Sequence, residues 1–573
     1  VAHPGKRRYA ALIPWLCLVA LPLLYELPAM LRSTRIEPAR LRLSLEIPLL
    51  LSLWLAALGG SARPALRRAL SGAAWLLVIY RLDQWLCWTL MQAEPLLYDQ
   101  WFMLRHLWVL IGDLMSLHTA LILGGLALGG ALCARLTRWL LDRSRVLATP
   151  EQKRHSLRVG AAIWCVLLGL SAAGMGSEDP WVRWSTPAIV QNVVTSRATY
   201  LEVQKRLQKS PYTDYARLRL TDTPDVYLFL VESYGRLLSV EEKTRAQHAA
   251  LLQDLSQQLE TAGWHVASAF ITATVSGGRS WIAEGNILLG TSIRYEAVFQ
   301  HLVAQHPPSL VSFLRQNGYR TVLLAPADRH RLGTHPVNRY GFERLISFDD
   351  LSYHGPHVGW GMVPDQYSLA FTERHALRNA GRPVFLDFHM VSSHAPWQEV
   401  PRFEETPERL LSRSGNVPAP ELTAGSLVTP FTRYERGPAQ FAYMERFDAE
   451  MRNGYQACVE YSLRTIVQYL KSRERDAFVI AIGDHQPPVI AREDASFDTP
   501  IHVFSRDATR LAPLLARGFK PGLQLDPHTQ PLMMQAGLLS LFVHSLMAKD
   551  CAEDDPSCSL PKVLPRGESV LAR

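Results

Sequence analysis

Three stretches carry residue types that could hold one cation and act on one phosphoryl group. The run Asp225-Val-Tyr-Leu-Phe-Leu-Val-Glu-Ser233 is apolar and β-prone until it stops on Glu232. Such a run reads as a buried parallel strand, and ligands gather at the carboxyl ends of strands in open α/β sheets. Glu232 is therefore a candidate metal ligand, although taken alone it reads more plainly as a solvated strand-end glutamate. A second run built alike, Ala477-Phe-Val-Ile-Ala-Ile-Gly483, ends on Asp484 and His485. Two strand ends supplying Glu, Asp and His point to one shared divalent cation, since carboxylate and imidazole donors suit such ions. In the third stretch, Gly277 and Gly278 permit a close approach just before a segment of helical spacing that starts at Ser280. A hydroxyl on the first turn of a helix lies among free backbone N–H groups, which stabilise an oxyanion or a phosphoryl oxygen. Ser280 is thus a candidate nucleophile; its plainer role is a helix N-cap. Ser276 and Thr274 are competing hydroxyls.

Bringing these ends together requires parallel strands linked by helices. Helical spacing is found at 240–262, with Ala250, Leu251, Leu255 and Leu259 on one side, and at 308–317, 445–471 and 530–547. Strand-like runs recur at 320–325, 383–389, 477–483 and 500–504. This alternation predicts a mixed, mostly parallel sheet with helices on both faces. No internal repeat or low-complexity tract interrupts it.

The N-terminal part is of another kind. Apolar runs near 9–31, 43–60, 69–91, 107–134 and 158–175 reach the length that crosses a hydrocarbon layer. The first is too long, and too well followed by further spans, to be a cleaved signal peptide. Basic loops stay on the cytoplasmic side, and the Arg-rich segment from Arg135 to Arg158, with Lys6 to Arg8 and Arg63 to Arg68, gives five crossings and an outer C-terminal domain. The loop with Arg32, Arg35, Arg40 and Arg42 then falls outside, against that rule. Glu26, Glu46, Arg81, Asp83, Asp113 and His118 sit within the spans, where structural pairing is the favoured reading over a transport path or a lipid-headgroup groove. The net charge of +8 is accounted for by arginines flanking the membrane, and nothing in the remainder reads as a nucleic-acid surface. The expected division is 1–175 transmembrane, 176–222 connector with an amphipathic stretch near 189–208, 223–550 catalytic domain and 551–573 tail. Cys551 and Cys558 bracket a short acidic loop, and an oxidising outer compartment predicts a disulfide there; Cys458 reads as buried.

Val-Glu-Ser at 231–233, Gly-Gly-Arg-Ser at 277–280, Ser-Ser-His-Ala-Pro-Trp at 392–397 and Ile-Gly-Asp-His at 482–485 come in that order behind the five spans. Together they resemble the lipoteichoic acid synthase-like, phosphoglycerol transferase group of the alkaline phosphatase–sulfatase superfamily. Gly-Trp-Gly-Met-Val-Pro-Asp at 359–365 and Asp498-Thr-Pro-Ile-His-Val-Phe add weaker support. The resemblance implies an α/β sulfatase-like domain outside a transmembrane helical bundle, in a bacterial inner membrane and facing the periplasm. It implies one divalent ion, Mn2+ favoured over Zn2+, held by Glu232, Ser280, Asp484 and His485. Ser280 would take the headgroup phosphate of a membrane phospholipid, expel diacylglycerol and pass the headgroup to an extracytoplasmic glycan or lipid, within a synthase complex or alone. His394 matches a substrate-side histidine, and Arg329, Arg331 and His335 lie where the group keeps residues that grip the headgroup, although none of the three matches its pattern cleanly. The usual nucleophile in this group is Thr rather than Ser. A sulfatase proper needs an arginine that Ser280-Trp-Ile-Ala-Glu lacks.

The near alternative is a phosphoethanolamine transferase, although those relatives carry more outer cysteines than this chain. A phosphodiesterase or phosphatase of the same superfamily would use water as acceptor. A catalytically inactive membrane scaffold is the non-enzyme alternative, against which stands the retention of all four expected metal-site residues.

Overall fold

The computed structural model describes residues 43–46, 64–101, 150–173, 182–206, 217–329, 338–358, 362–412, 439–488, 496–550 and 560–569, with single gaps at 379 and 398 and a few isolated positions elsewhere. The chain divides into two compact units, one of residues 1–89 and 93–198 and one formed essentially by 199–573.

The first unit holds helices α1 (Pro64–Met91) and α2 (Pro150–Ala173) and the start of α3 (Ser185–Arg206), which runs on into the second. α1 contains the expected span 69–91, α2 most of 158–175, and α3 most of the amphipathic stretch. Spans 9–31 and 107–134 and most of 43–60 lie outside the described residues. Among the described residues, no helix is long and apolar enough to cross a membrane. Glu46 accepts from the Thr186 backbone N–H and hydroxyl at 2.5 and 3.1 Å, and Arg81 donates to Gln84, in line with structural pairing.

The second unit is built in the order β1 (Asp225–Val231), α4 (Glu242–Thr261), β2 (His265–Thr272), α5 (Ser280–Leu289), α6 (Leu310–Gln316), β3 (Arg320–Ala325), β4 (Arg344–Ser347), α7 (Asp365–Thr372), β5 (Val384–Met390), α8 (Ala439–Lys471), β6 (Ala477–Gly483), β7 (Asp498–Ser505), β8 (Lys520–Pro521) and α9 (Leu538–Leu546). These strands form one eight-stranded sheet in the order β8-β2-β7-β6-β1-β5-β3-β4. From β6 to β4 all neighbours are parallel; β7 runs antiparallel to β6, β2 to β7 and β8 to β2. β2 therefore runs in the direction of β1, and its end delivers the chain to the same carboxyl edge.

The period of two along a strand sends alternate residues to opposite faces. Val226, Leu228 and Leu230 of β1 join the core cluster that includes residues of α5, α6 and α9, while Tyr227, Phe229 and Val231 join the one that includes residues of α4 and α8. Cys458 of α8 is buried in the latter, as expected. The expected helix at 240–262 is broken at Glu241, whose backbone is extended, and the expected helix at 530–547 starts only after a short 3-10 turn at Gln535–Gly537. β2 and β4 were not legible in the sequence. The middle of β2, Ala267-Ser268-Ala269, is made of small residues that fix no period. Cys551 and Cys558 lie outside the described residues.

Candidate metal centre

β1 and β6 are adjacent and parallel, with Val231 opposite Gly483 in register. Glu232 and Asp484, each one residue further, thus leave the sheet side by side. Only glycine fits at 483, because a Cβ there would lie 1.8 Å from the Tyr234 carbonyl oxygen. After Glu232 the chain turns sharply through Ser233, which has a positive φ of 57°. β2 ends on the same edge, and Gly277 and Gly278, both at positive φ, lead into α5. The N-cap of α5 is Arg279, in the left-handed region without a side-chain cap bond, so Ser280 is the first helical residue and its hydroxyl is not spent on capping.

That hydroxyl donates to Glu232 Oε2 at 2.9 Å and lies 3.3 Å from His485 Nε2. Glu232, Asp484 and His485 are all buried, and one potential ligand atom from each lies within 4.8 Å of the others. His485 Nε2 is 3.5 Å from Glu232 Oε1 and 3.4 Å from Asp484 Oδ2. Local bonds aim these donors. The backbone N–H groups of Ser233 and His485 both donate to Asp484 Oδ1 at 2.7 Å, which leaves Oδ2 for a cation. His485 Nδ1 donates to the Gln486 carbonyl at 2.9 Å, so that Nε2 keeps its lone pair toward the carboxylates.

The electrostatics fit a cation. Burial, reinforced by the Glu232 charge, pushes Asp484 well above the usual carboxylate range. Burial also opposes ionisation of Glu232, but the neighbouring His394 and His485 and the Ser280 and Ser233 hydroxyls outweigh it and hold that carboxyl below its ordinary value. Burial lowers His485, keeping its imidazole neutral and able to ligate. Two buried carboxylates and one neutral imidazole repel or strand charge unless a positive ion joins them, and O,O,N donors of this kind accept Mn2+ or Zn2+.

Of the other sequence candidates, His394 follows β5 on the Val391–His394 segment and is near enough for its charge to act on Glu232. Its Nδ1 donates to the Ala395 carbonyl at 2.6 Å, and Ser393 Oγ ties this segment to the Glu232 carbonyl at 2.7 Å. Arg329 stacks over the Phe348 ring at 4.0 Å; Arg331 and His335 lie outside the described residues. Thr274 donates to the Ile293 carbonyl and accepts from Asn286, which commits it to supporting α5. Ser276 is buried, with no hydrogen-bond partner among the described residues.

Several supporting groups were not singled out from sequence. Asp365 Oδ1 accepts from the Val391 and Ser392 N–H groups at 2.8 and 3.1 Å, while Oδ2 accepts from Ser462 at 2.7 Å, so it fixes the path of the His394 segment. Tyr455 donates to the Ser233 carbonyl at 2.7 Å, and Gln535 donates to the Gly483 and Asp484 carbonyls at 3.0 and 2.9 Å. The buried Arg279 sits near enough to depress His485 further. Its place directly before the candidate nucleophile was a usable signal; the partners of Tyr455 and Gln535 are too distant in sequence to be read from it.

Residues 284–510 match the family model described as Sulfatase, a stretch that contains His394, Asp484 and His485. That match covers less than half of the chain. Among solved structures, the chain is similar to the integral membrane protein lipooligosaccharide phosphoethanolamine transferase A (EptA) from Neisseria meningitidis, at 12% identity over 96% of each chain with a TM-score of 0.48. It is also similar to the C-terminal periplasmic domain of EcEptC from Escherichia coli, at 11% identity over 56% of this chain and 81% of that one, TM-score 0.34. A third is the Streptococcus pyogenes phosphoglycerol transferase GacH in complex with sn-glycerol-1-phosphate, at 13% identity over 63% and 88%, TM-score 0.36. No curated protein sequence matches the chain.

Proposed function

We propose that the chain belongs to the sulfatase/alkaline phosphatase superfamily and is a membrane-anchored, metal-dependent transferase. It moves a phosphoglycerol headgroup from a membrane phospholipid, through a covalent bond to Ser280, onto the hydroxyl of an extracytoplasmic glycan or lipid. The observation that carries this reading is the Ser280 hydroxyl 2.9 Å from Glu232 Oε2 within a buried Glu–Asp–His cluster. The motif resemblance supplies the donor class. Exposed apolar side chains such as Leu76 and Ile79 on α1 and Val166 on α2 support contact with lipid. The domain would face the periplasm from an inner membrane.

Glu232, Asp484 and His485 would hold one divalent ion, Mn2+ or Zn2+, with Ser280 completing the set. When bound, such an ion lowers the pKa of a nearby hydroxyl and offsets charge on phosphoryl oxygens. The chain's own residues do the rest. Ser280 is held at the start of α5 by the Gly277–Gly278 turn, and its proton has an acceptor in Glu232 Oε2, since the lone pair of His485 Nε2 would be used on the ion. As the Ser280 oxygen bonds to phosphorus, the bond from phosphorus to the diacylglycerol oxygen breaks, and that oxygen takes a proton for which His394 is the donor. An acceptor hydroxyl then attacks the same phosphorus, its proton leaves by the same histidine, and Ser280 is regenerated.

The test is release of diacylglycerol by the purified full chain with Mn2+, from phosphatidylglycerol and from phosphatidylethanolamine in parallel. Release from phosphatidylglycerol that disappears in Ser280→Ala is expected. Release from phosphatidylethanolamine alone would move the donor to the phosphoethanolamine class, and release from neither would contradict the transferase reading.

A further inference from the structure

A second group of ligating side chains stands on the same face of the sheet. Asp387 and His389 project from β5, where they are in register with Leu228 and Leu230 of β1, and Glu284 comes from α5 one turn after Ser280. One potential ligand atom from each lies within 4.8 Å of the others. His389 Nε2 is 3.3 Å from Glu284 Oε1 and 3.9 Å from Asp387 Oδ1.

Asp387 is the informative member. It is 0% exposed, in the middle of the central sheet, and neither carboxylate oxygen has a hydrogen-bond partner among the described residues. Glu284 Oε1 is buried in the same condition. Buried carboxylates in native proteins are bonded or compensated, so this arrangement needs something more than it contains. A protonated Asp387 beside a His389 imidazolium and the Glu284 carboxylate would balance charge, but would still leave both Asp387 oxygens without a hydrogen bond. A divalent cation with a neutral imidazole balances both carboxylates and leaves no net charge in the core. Tyr340, whose hydroxyl also lacks a partner among the described residues, is close enough for both acids to act on it, and offers a neutral oxygen. The side chain of His389 is 27% exposed although its Nε2 is buried, so the cluster lies close to the surface.

We infer that Glu284, Asp387 and His389 form a second divalent-cation site, separate from the one at Glu232, Asp484 and His485. Its two carboxylates and single imidazole are a donor set for Mn2+, Fe2+ or Zn2+. Because four helical residues rise about 6 Å, an ion there ties α5 to β5 one turn from Ser280 and fixes the helix that carries the nucleophile. Burial, offset in part by His389 and reinforced by Glu284, pushes Asp387 well above its ordinary range, whereas His389, despite burial, is raised to about 10 by Glu284, Asp387 and Asp328; an ion at this site would compete with that proton. The inference does not rest on the transferase reading.

The test is metal content of the full chain in detergent, stripped with chelator and equilibrated with Mn2+, for the parent, Glu232→Gln, Asp387→Asn and His389→Gln. Two ions per chain are expected in the parent and one in each variant, with none in Glu232→Gln/His389→Gln. Mn2+ is also expected to raise the melting temperature of Glu232→Gln and not that of the double variant. A parent binding one ion that Glu232→Gln removes, or a His389→Gln variant that keeps the parental count, would overturn the second site. Should Asp387→Asn not fold, His389→Gln decides, since its side chain lies at the mouth of the cluster. A count that falls with His389→Gln but not with Glu232→Gln would uphold this site and refute the first.

Discussion

Ser280 donates its proton to Glu232, so its removal and that of Glu232 have different signatures. Ser280→Ala deletes the bond-forming atom and is expected to lower turnover by at least about 10³-fold while metal content changes little, because three donors remain. Glu232→Gln is expected to lower both. His394→Ala leaves the donor set intact and removes a proton donor, for a loss on the order of 10²–10⁴-fold in kcat, with one limb of the pH–rate profile flattened. A His394→Ala enzyme with parental kcat at all pH values would take that histidine out of the chemistry. The convergence of the two carboxylates was legible in the sequence because two apolar runs each stop on an acid, although either alone reads as a solvated strand end. The fate of Ser280 was not, since the choice between cap and free hydroxyl turned on the left-handed backbone of Arg279, a property of folding rather than of residue type.

At the level of elements, the site depends on two strand ends and one anchored loop. Gly483→Ala puts a methyl into the Tyr234 carbonyl, and the resulting shift is expected to cost about 3 kcal/mol of stability and to displace Asp484, seen as a lower melting temperature and weaker metal binding. The loop bearing His394 hangs on Asp365, which burial raises to about 6 despite its hydrogen bonds. The native state therefore holds this proton more tightly than the unfolded chain does. Its contribution is present below pH 4 and is lost as pH rises through about 6, roughly 3 kcal/mol for a shift of about two units. Subtracting the melting profile of Asp365→Asn from that of the parent is expected to reveal this fall between pH 4 and 6; a flat difference would contradict it. Strands Arg320–Ala325 and Ala477–Gly483 coincide with their expected bounds because both have buried, mostly apolar runs ended by turn residues. β4 was missed because it is a four-residue edge strand, and β2 because small residues leave its period undefined. The break at Glu241 depends on tertiary contacts, among them the ion pair of Glu241 with Arg452 of α8.

For the whole molecule, the account joins a unit proposed to be sulfatase-like to an N-terminal unit read as membrane-embedded. It predicts that the full chain stays with the membrane after an alkaline carbonate wash, and that protease added from the periplasmic side removes the C-terminal unit. Recovery of intact chain in the wash would contradict the membrane reading. The central parallel strands and the convergence of Glu232, Asp484 and His485 follow from apolar runs that end on these residues, whereas β2 and β4 do not. The second cluster of Glu284, Asp387 and His389 does not, since a helix and a strand far apart in sequence meet there only through packing. The central claim is that Ser280 carries a lipid-derived phosphoryl group, and intact-mass analysis of the full chain after incubation with Mn2+ and defined phospholipids tests it most directly. The account predicts an added mass of one phosphoglycerol on the parent and none on Ser280→Ala. A metal-loaded parent that releases diacylglycerol yet never gains that mass, or an adduct that persists on Ser280→Ala, would contradict it.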